Sequence, residues 1–216
     1  MRRRQQVFYR INRIFLLLYA PLSIALSIYY LFTGSLLHSI LALFTLVWIF
    51  LPHLIHQLTH LRPGQLLLFF YGFLILFGYS GGLVLSFGKK IFLYDELIHI
   101  YSGFFFCILA SALFCYLTKK RANRMNEKFC CIFSLSFSFT AFFIWEALQL
   151  LMDIVLMKIH LTILDIVLDG FAWAIGIAVT ILCMVIQHRK QIHIYPLYAF
   201  EDFSYLNVKS SIEIIK

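Results

Sequence analysis

Long apolar segments recur along this chain and constrain its fold more than any other feature of the sequence. A segment of about 20 mostly apolar residues can cross the hydrocarbon core of a bilayer as an α-helix. Six such segments can be read, near 14–32, 36–51, 66–87, 95–117, 129–151 and 163–186. Only 13% of the residues are charged, against about 25% in an average soluble domain. The sequence therefore predicts an all-α, polytopic transmembrane helical bundle with about six spans.

The distribution of Lys and Arg predicts how these spans are oriented. An even number of spans places both termini on one side, and the segments on that side carry fifteen of the eighteen Lys and Arg residues. Cytoplasmic loops hold this excess of positive charge in membrane proteins, so we predict that both termini are cytoplasmic. We expect the bundle to occupy residues 1–190 and a cytoplasmic tail to occupy 191–216. Basic loops also account for the net charge of +8, and we expect no nucleic-acid partner.

Acidic residues gather at one end of the last three predicted spans. Six of the ten acidic residues in the chain lie at their predicted outer ends. These are Asp95, Glu96, Glu146, Asp153, Asp165 and Asp169. An ionised carboxylate in lipid costs on the order of 3 kcal/mol, and acids in spans face a bundle interior and mark functional sites. The sequence predicts a polar site built from about residues 94–176, at the outer face.

The spacing of these acids predicts that each helix presents one polar stripe. Asp95 and His99 are four residues apart, as are Asp165 and Asp169, and Glu146 heads a third stripe that includes a glutamine three residues later. Residues with this spacing share a helix face. Small residues let helices approach closely in lipid. Three glycines follow the acids: Gly103, Gly170 and Gly176.

Three chemical uses fit such a set of side chains. Carboxylates with one imidazole bind divalent cations, because oxygen ligands suit magnesium, calcium or manganese and a histidine admits zinc. They also relay protons or bind a cationic substrate. A third use is structural, as a hydrogen-bonded knot that fixes helix packing. Like charges repel, so several acids need a counter-charge, which an external cation or protons would supply. Few basic side chains lie nearby: His99, His160, Lys158, Lys89 and Lys90.

The segment Asp95–His99 is similar to the H-E-x-x-H helix of zinc proteins, with Asp in the first place. In a metal-dependent membrane hydrolase, Glu146 or Glu96 would serve as acid and base. The metal ligands would be Asp95, His99, Asp165 and Asp169. A small proton-coupled transporter would instead use Glu146 and Asp169 as proton carriers.

The stretch Tyr94–His99, followed by Gly103, Trp145-Glu146 and then Asp165-x-x-x-Asp169 with Gly176, resembles the pattern of YjdF-type bacterial inner-membrane proteins. That family has no known function. The pattern is also similar in outline to VanZ-like membrane proteins, whose Glu-x-x-Gln element Glu146 and Gln149 match. It lacks the arginine that VanZ-like sequences carry between the Glu and Asp helices; Lys158 or His160 stands there instead. The resemblance implies a polytopic envelope protein with a polar site at its outer face.

These observations predict a multi-pass protein of the bacterial inner membrane whose carboxylate and histidine site binds a cation or a lipid-linked headgroup. The sequence leaves the cofactor open, with a divalent metal ion as one candidate, and we expect membrane lipid as the partner. A homo-oligomer stays an open alternative. The sequence leaves enzyme and non-enzyme functions equally open.

Overall fold

A computed structural model describes residues 2–118, 126–155, 162–190, 194, 197–199, 202–203 and 206–207. Within these ranges the regular structure is entirely helical, which confirms the predicted fold class. The helices are α1 (Arg2–Phe32), α2 (Leu36–Thr59), α3 (Gln65–Phe73), α4 (Tyr94–Leu117), α5 (Glu127–Val155) and α6 (Ile163–Lys190). A π-helix (Leu74–Val84) and a short 3₁₀ turn (Phe87–Lys89) lie between α3 and α4.

Six helices of the described chain are long and apolar enough to cross a membrane, which confirms the predicted number of spans. The third span combines α3 with the π-helix, over Gln65–Val84. Most of the basic loop before α5 lies outside the described residues, as do Lys158, His160 and most of the tail from residue 191. The orientation of the termini therefore stays a prediction, and so does the division into bundle and tail.

The second span is longer than the sequence predicts. A stop at Pro52 is expected because proline lacks the N–H that continues a helix. In the structure α2 runs through Pro52 to Thr59. Proline leaves the carbonyl of Trp48, four residues earlier, without its helical donor. The hydroxyl of Tyr71 donates to this carbonyl over 2.7 Å, which satisfies it and lets the helix continue.

The described helices form two compact units that divide between Tyr94 and Asp95. In the first unit, α1, α2 and α3 pack around Tyr19, Ile49 and Ile75. Ser80, in the π-helix, accepts a hydrogen bond from the hydroxyl of Tyr19. The adjacent Gly81 has room for no side chain, because the Tyr94 hydroxyl occupies the place of a Cβ. The chain therefore packs closely at Gly81, as only a glycine allows.

The second unit holds α4, α5 and α6, with Cys107, Phe142, Trp173 and Ile177 at its core. Two glycines bring α4 and α6 together. A Cβ on Gly103 would collide with the backbone carbonyl of Trp173, and one on Gly176 would collide with the carbonyl of Ile100. These reciprocal contacts fix the depth at which α4 and α6 cross, and hence the level of their acidic first turns.

Candidate functional site

Helix α4 brings the first part of the predicted site together in its opening turns. Asp95 and Glu96 lie in the first turn, where carboxylates interact favourably with the positive end of the helix dipole. The Asp95 side chain is 58% exposed, whereas His99, one turn later, is buried. The buried ring of His99 faces α5 and α6, and Asp95 lies at the exposed edge of the cluster.

The two nitrogens of the His99 ring face different neighbours. Nδ1 lies 2.9 Å from the backbone carbonyl oxygen of Asp95. A carbonyl oxygen only accepts hydrogen bonds, so Nδ1 carries the proton of this bond. Nε2 lies 3.4 Å from Oε1 of Glu146, on α5. One edge of the imidazole thus donates to the backbone of its own helix, and the other edge faces a carboxylate of α5.

Helix α6 contributes the third carboxylate of the cluster and an aromatic ring that lies beside His99. Oδ1 of Asp169 lies 3.4 Å from Nδ1 of His99. Trp173, one turn further along α6, has its ring centroid 6.1 Å from that of His99. Its Nε1 donates to the hydroxyl of Ser138 over 3.0 Å, and this hydrogen bond joins α6 to α5. Trp173 is not among the residues predicted for the site, although its spacing of four from Asp169 places it on the same helix face.

The structure therefore gathers four of the six residues that the sequence predicts for the site. Atoms of Asp95, His99 and Asp169 that could bind a metal lie within 4.8 Å of one another, and Glu146 approaches the other edge of the imidazole. His99, Glu146 and Asp169 are at most 6% exposed. We call these four residues, Asp95, His99, Glu146 and Asp169, the acidic cluster.

Asp165 lies apart from the acidic cluster and has a different partner. Its carboxylate is exposed and accepts hydrogen bonds from the backbone N–H of Thr162, over 2.9 Å, and from the Thr162 hydroxyl, over 2.7 Å. The Thr162 hydroxyl in turn accepts from the N–H of Asp165 over 3.2 Å. This reciprocal arrangement is a capping box, which its T-x-x-D sequence signals. Asp165 therefore has a local structural task at the start of α6.

Two further acids of the predicted stretch lie outside the acidic cluster as we define it. Glu96 is partly buried in the first turn of α4, on the face next to that of Asp95. Asp153 belongs to α5, but its side chain lies outside the described part of the structure. The assignment of Glu96 and Glu146 as acid or base, and of Asp165 as a ligand, stays a prediction.

The charges of the acidic cluster are poorly balanced within the described chain. Its carboxylates form their ion-pair contacts with one imidazole, and no Lys or Arg of the described residues takes part. Both oxygens of Glu146 and Nε2 of His99 are buried without a hydrogen-bond partner among the described residues. Most buried polar atoms in proteins have such a partner, so three neighbouring exceptions indicate a place for a ligand or proton.

Comparison with known proteins gives one match. The family described as "Predicted membrane protein (DUF2238)" matches residues 11–190, which is most of the chain. This match confirms the resemblance to YjdF-type proteins, whereas the outline shared with VanZ-like proteins stays a prediction. No curated protein and no solved structure matches the chain.

Proposed function

We propose a function from one premise: the chain belongs to the DUF2238 family of predicted membrane proteins and has six helices, in its described part, that could span a membrane. The proposed function is cation binding. A divalent metal ion enters the acidic cluster from its exposed edge at Asp95 and is retained in the buried part of the cluster. The observation that carries the proposal is the set of buried atoms without partners at Glu146 and His99.

The balance of charge supports a cation. Two carboxylates, those of Glu146 and Asp169, are buried beside a single imidazole. One imidazolium neutralises at most one of them, and leaving a charge buried and unpaired is strongly destabilising. The missing positive charge must come from protons or from a bound ion. A divalent cation offsets both carboxylates and leaves the imidazole neutral and free to coordinate.

The alternative of a structural knot is less well supported. In such a knot the polar groups satisfy one another, because a partly satisfied buried network is costlier than an apolar core. The capping box of Asp165 and Thr162 has this closed pattern, with each donor matched to an acceptor. Glu146, by contrast, has two oxygens without a described partner.

The acidic cluster also restricts what kind of lipid the protein can bind. A phosphate of a lipid-linked headgroup would be repelled by Asp95, Glu146 and Asp169 unless a cation lay between them. We therefore propose that the cation binds before any lipid, and that a lipid headgroup would bind as a second ligand of the same ion. With the predicted orientation, this site would lie at the outer face of a bacterial inner membrane.

Metal analysis of the purified protein tests the proposal. We expect wild-type protein in detergent to retain or take up a divalent metal, and Asp169→Asn to lose most of it. The matched control is Asp165→Asn, which removes a carboxylate from the same helix but outside the acidic cluster. The proposal is excluded if wild type takes up no metal from a panel of magnesium, calcium, manganese and zinc; if wild type and both variants bind metal equally, the ion lies outside the acidic cluster.

Proton transfer is a second candidate function, favoured by a line of polar residues along one face of α5. The Ser134 hydroxyl lies 2.9 Å from that of Ser111 on α4, and Glu127 lies 3.7 Å from His188 on α6. Serines also hold membrane helices together without any transport, which is the simpler role. The ring of Phe142 interrupts this line. Its members are Glu127, Cys130, Ser134, Ser138, Phe142 and Glu146.

Reconstituted vesicles separate proton transfer from cation binding. If the protein carries protons, an applied potential should acidify vesicles that contain wild type but not those that contain Glu146→Gln. Asp165→Asn again serves as the control. Equal, slow acidification with wild type and with protein-free vesicles would eliminate this candidate and leave cation binding untouched.

A further inference from the structure

We infer that the bound cation is coordinated by Nε2 of His99 and by the carboxylate of Glu146. Asp95 and Asp169 lie on the opposite edge of the imidazole and are not ligands of the ion. This inference rests on the proposed function, cation binding at the acidic cluster. It assigns Glu146 a ligand role, whereas the sequence pattern predicts that Asp95, His99, Asp165 and Asp169 bind the metal and that Glu146 is an acid or base.

The state of Nδ1 carries the first step. Nδ1 is the nitrogen that faces the two aspartates, at 3.8 Å from Asp95 Oδ1 and 3.4 Å from Asp169 Oδ1. It is also 2.9 Å from the Asp95 backbone carbonyl, which can only accept. Nδ1 is therefore protonated and has no lone pair for a metal. A site that joins Asp95, His99 and Asp169 through this nitrogen would have to break that hydrogen bond.

The surroundings of Nε2 carry the second step. A neutral imidazole with its proton on Nδ1 has a free lone pair on Nε2. In that form the lone pair would point into the space shared with Glu146 Oε1, at 3.4 Å, where neither atom has a hydrogen-bond partner among the described residues. Two acceptors facing each other repel unless something positive lies between them. Glu146 is 5% exposed, so bulk water does not perform that task.

The separation of these two atoms suits a metal ion. Zinc binds imidazole nitrogen and carboxylate oxygen at about 2.0–2.2 Å in tetrahedral geometry, which places neighbouring ligand atoms about 3.4 Å apart. The His99–Glu146 distance is 3.4 Å. A direct hydrogen bond between the same atoms would be shorter, about 2.7–3.2 Å. The spacing therefore fits two ligands of one ion better than a donor and its acceptor.

Asp169 then has a positioning role. Metal-bound histidines commonly donate their other N–H to a carboxylate or a backbone carbonyl, which fixes the ring and makes the binding nitrogen more basic. On its Nδ1 edge, His99 donates to the Asp95 carbonyl at 2.9 Å, and the Asp169 carboxylate faces the same edge at 3.4 Å, beyond hydrogen-bond distance but close enough to attract the N–H. Asp95 contributes through its backbone, so its own carboxylate is dispensable for holding the ring.

This ligand pair also selects a class of cation. One imidazole and one carboxylate suit zinc and similar transition-metal ions, whereas magnesium and calcium prefer sites made entirely of oxygen atoms. Two protein ligands leave two positions of a tetrahedral ion for water or for an oxygen of a second ligand. The expected site is thus open, and it prefers cobalt or zinc to magnesium.

Cobalt(II) is the probe for this inference, since its visible absorption reports tetrahedral coordination. Wild-type protein in detergent is titrated beside Glu146→Gln, Asp95→Asn and Asp169→Asn. We expect Glu146→Gln to abolish the tetrahedral spectrum and Asp95→Asn to leave it unchanged. Asp169→Asn should weaken binding about 10–100-fold without changing the spectrum, as expected for a group that orients a ligand.

A second measurement follows metal binding in the wild-type protein and uses a variant only to assign the His99 signals. Wild-type protein with isotope-labelled histidine nitrogens is compared by NMR with and without zinc, and the His99 signals are those missing from His99→Gln. We expect Nε2 to move on metal binding and Nδ1 to keep its proton.

The outcomes separate this inference from the function on which it rests. A wild-type protein that binds no cation removes both. Normal cobalt binding by Glu146→Gln together with lost binding by Asp95→Asn would keep cation binding and overturn the assignment of ligands. Loss of the Nδ1 proton on zinc binding would do the same.

Discussion

At the scale of residues, His99 determines what the acidic cluster can bind, because its two nitrogens are not equivalent. Nδ1 is occupied by the carbonyl of Asp95, and Nε2 faces Glu146. A spacing of four residues identifies a shared helix face, but it does not reveal which edge of an imidazole a neighbour will meet. That distinction changes the candidate ligand from an aspartate on the same helix to a glutamate on another.

Thr162 gives a prediction at this scale. Thr162→Ala removes the hydroxyl that both donates to Asp165 and accepts from its N–H. Loss of an N-cap side chain costs about 0.5–2 kcal/mol, so we expect unfolding in mixed detergent to begin at a lower denaturant concentration. Thr140→Ala on α5, an exposed hydroxyl bonded only to its own helix, is the control. A loss of metal affinity in Thr162→Ala would contradict the purely structural role of the cap.

The sequence allowed a partial prediction of the residues in the site. The three acids of the acidic cluster could be found because acids are rare in apolar helices, and His99 because it follows Asp95 by four residues. Asp165 satisfies the same criterion, yet its partner is the neighbouring threonine. The T-x-x-D pattern at Thr162 could have separated it from Asp169, since a capping carboxylate is engaged locally.

At the scale of elements, the helices follow from apolar length, but their irregular parts depend on contacts between helices. The continuation of α2 through Pro52 requires the Tyr71 hydroxyl, which is distant in sequence. The π-helix Leu74–Val84 likewise has no signal in its composition, although π-helical turns are frequent near functional sites. The course of α2 could not be predicted from local sequence because the group that permits it lies on another helix.

Tyr71 and Pro52 give a prediction that uses two substitutions. Tyr71→Phe leaves the Trp48 carbonyl without the donor that replaces the missing proline N–H. We expect the unfolding free energy to fall by about 1–3 kcal/mol, the cost of an unsatisfied buried acceptor.

Pro52→Ala in the same protein restores a backbone N–H four residues after Trp48 and should recover much of this loss. Unfolding of wild type, the two single variants and the double variant forms a double-mutant cycle. Strictly additive effects would show that Pro52 and Tyr71 are independent.

The glycines between α4 and α6 give a prediction about packing. Gly176→Ala would place a Cβ against the backbone carbonyl of Ile100, which cannot yield as a side chain can. We expect a loss of about 1–3 kcal/mol, as for other overpacked positions. Gly170→Ala on the same helix is the matched control, because its Cβ meets only the Phe142 ring at 3.4 Å. Equal stabilities of the two variants would mean that α4 and α6 can separate without cost.

At the scale of the whole molecule, the chain is a membrane protein whose six apolar helices could be predicted almost entirely from hydropathy. The family match over residues 11–190 agrees with that prediction. Hydropathy counts spans because their length is set by the bilayer, whereas the grouping of spans into units depends on side-chain packing. Neither of the two units could therefore be defined from the sequence alone.

Cation binding gives a prediction about the stability of the whole protein. An ion that binds only the folded state stabilises it, by about 2.7 kcal/mol when its concentration is 100 times the dissociation constant. We expect the thermal midpoint of wild type to rise with zinc concentration and that of Glu146→Gln to stay constant. Chelation should reverse the rise. An equal rise in both proteins would indicate binding elsewhere, such as at the exposed histidines His53 and His60.

The reciprocal contacts of Gly103 and Gly176 restrict how the second unit can move. Each glycine receives a backbone carbonyl of the opposite helix, so α4 and α6 pack at close range next to His99 and Asp169. Glu146 belongs to α5, which makes no such contact among the glycines described. An ion bridging His99 and Glu146 would therefore join α5 to this pair at the acidic end of the unit, whereas Ser138 joins it to Trp173 and to the Gly103 carbonyl one helical level deeper.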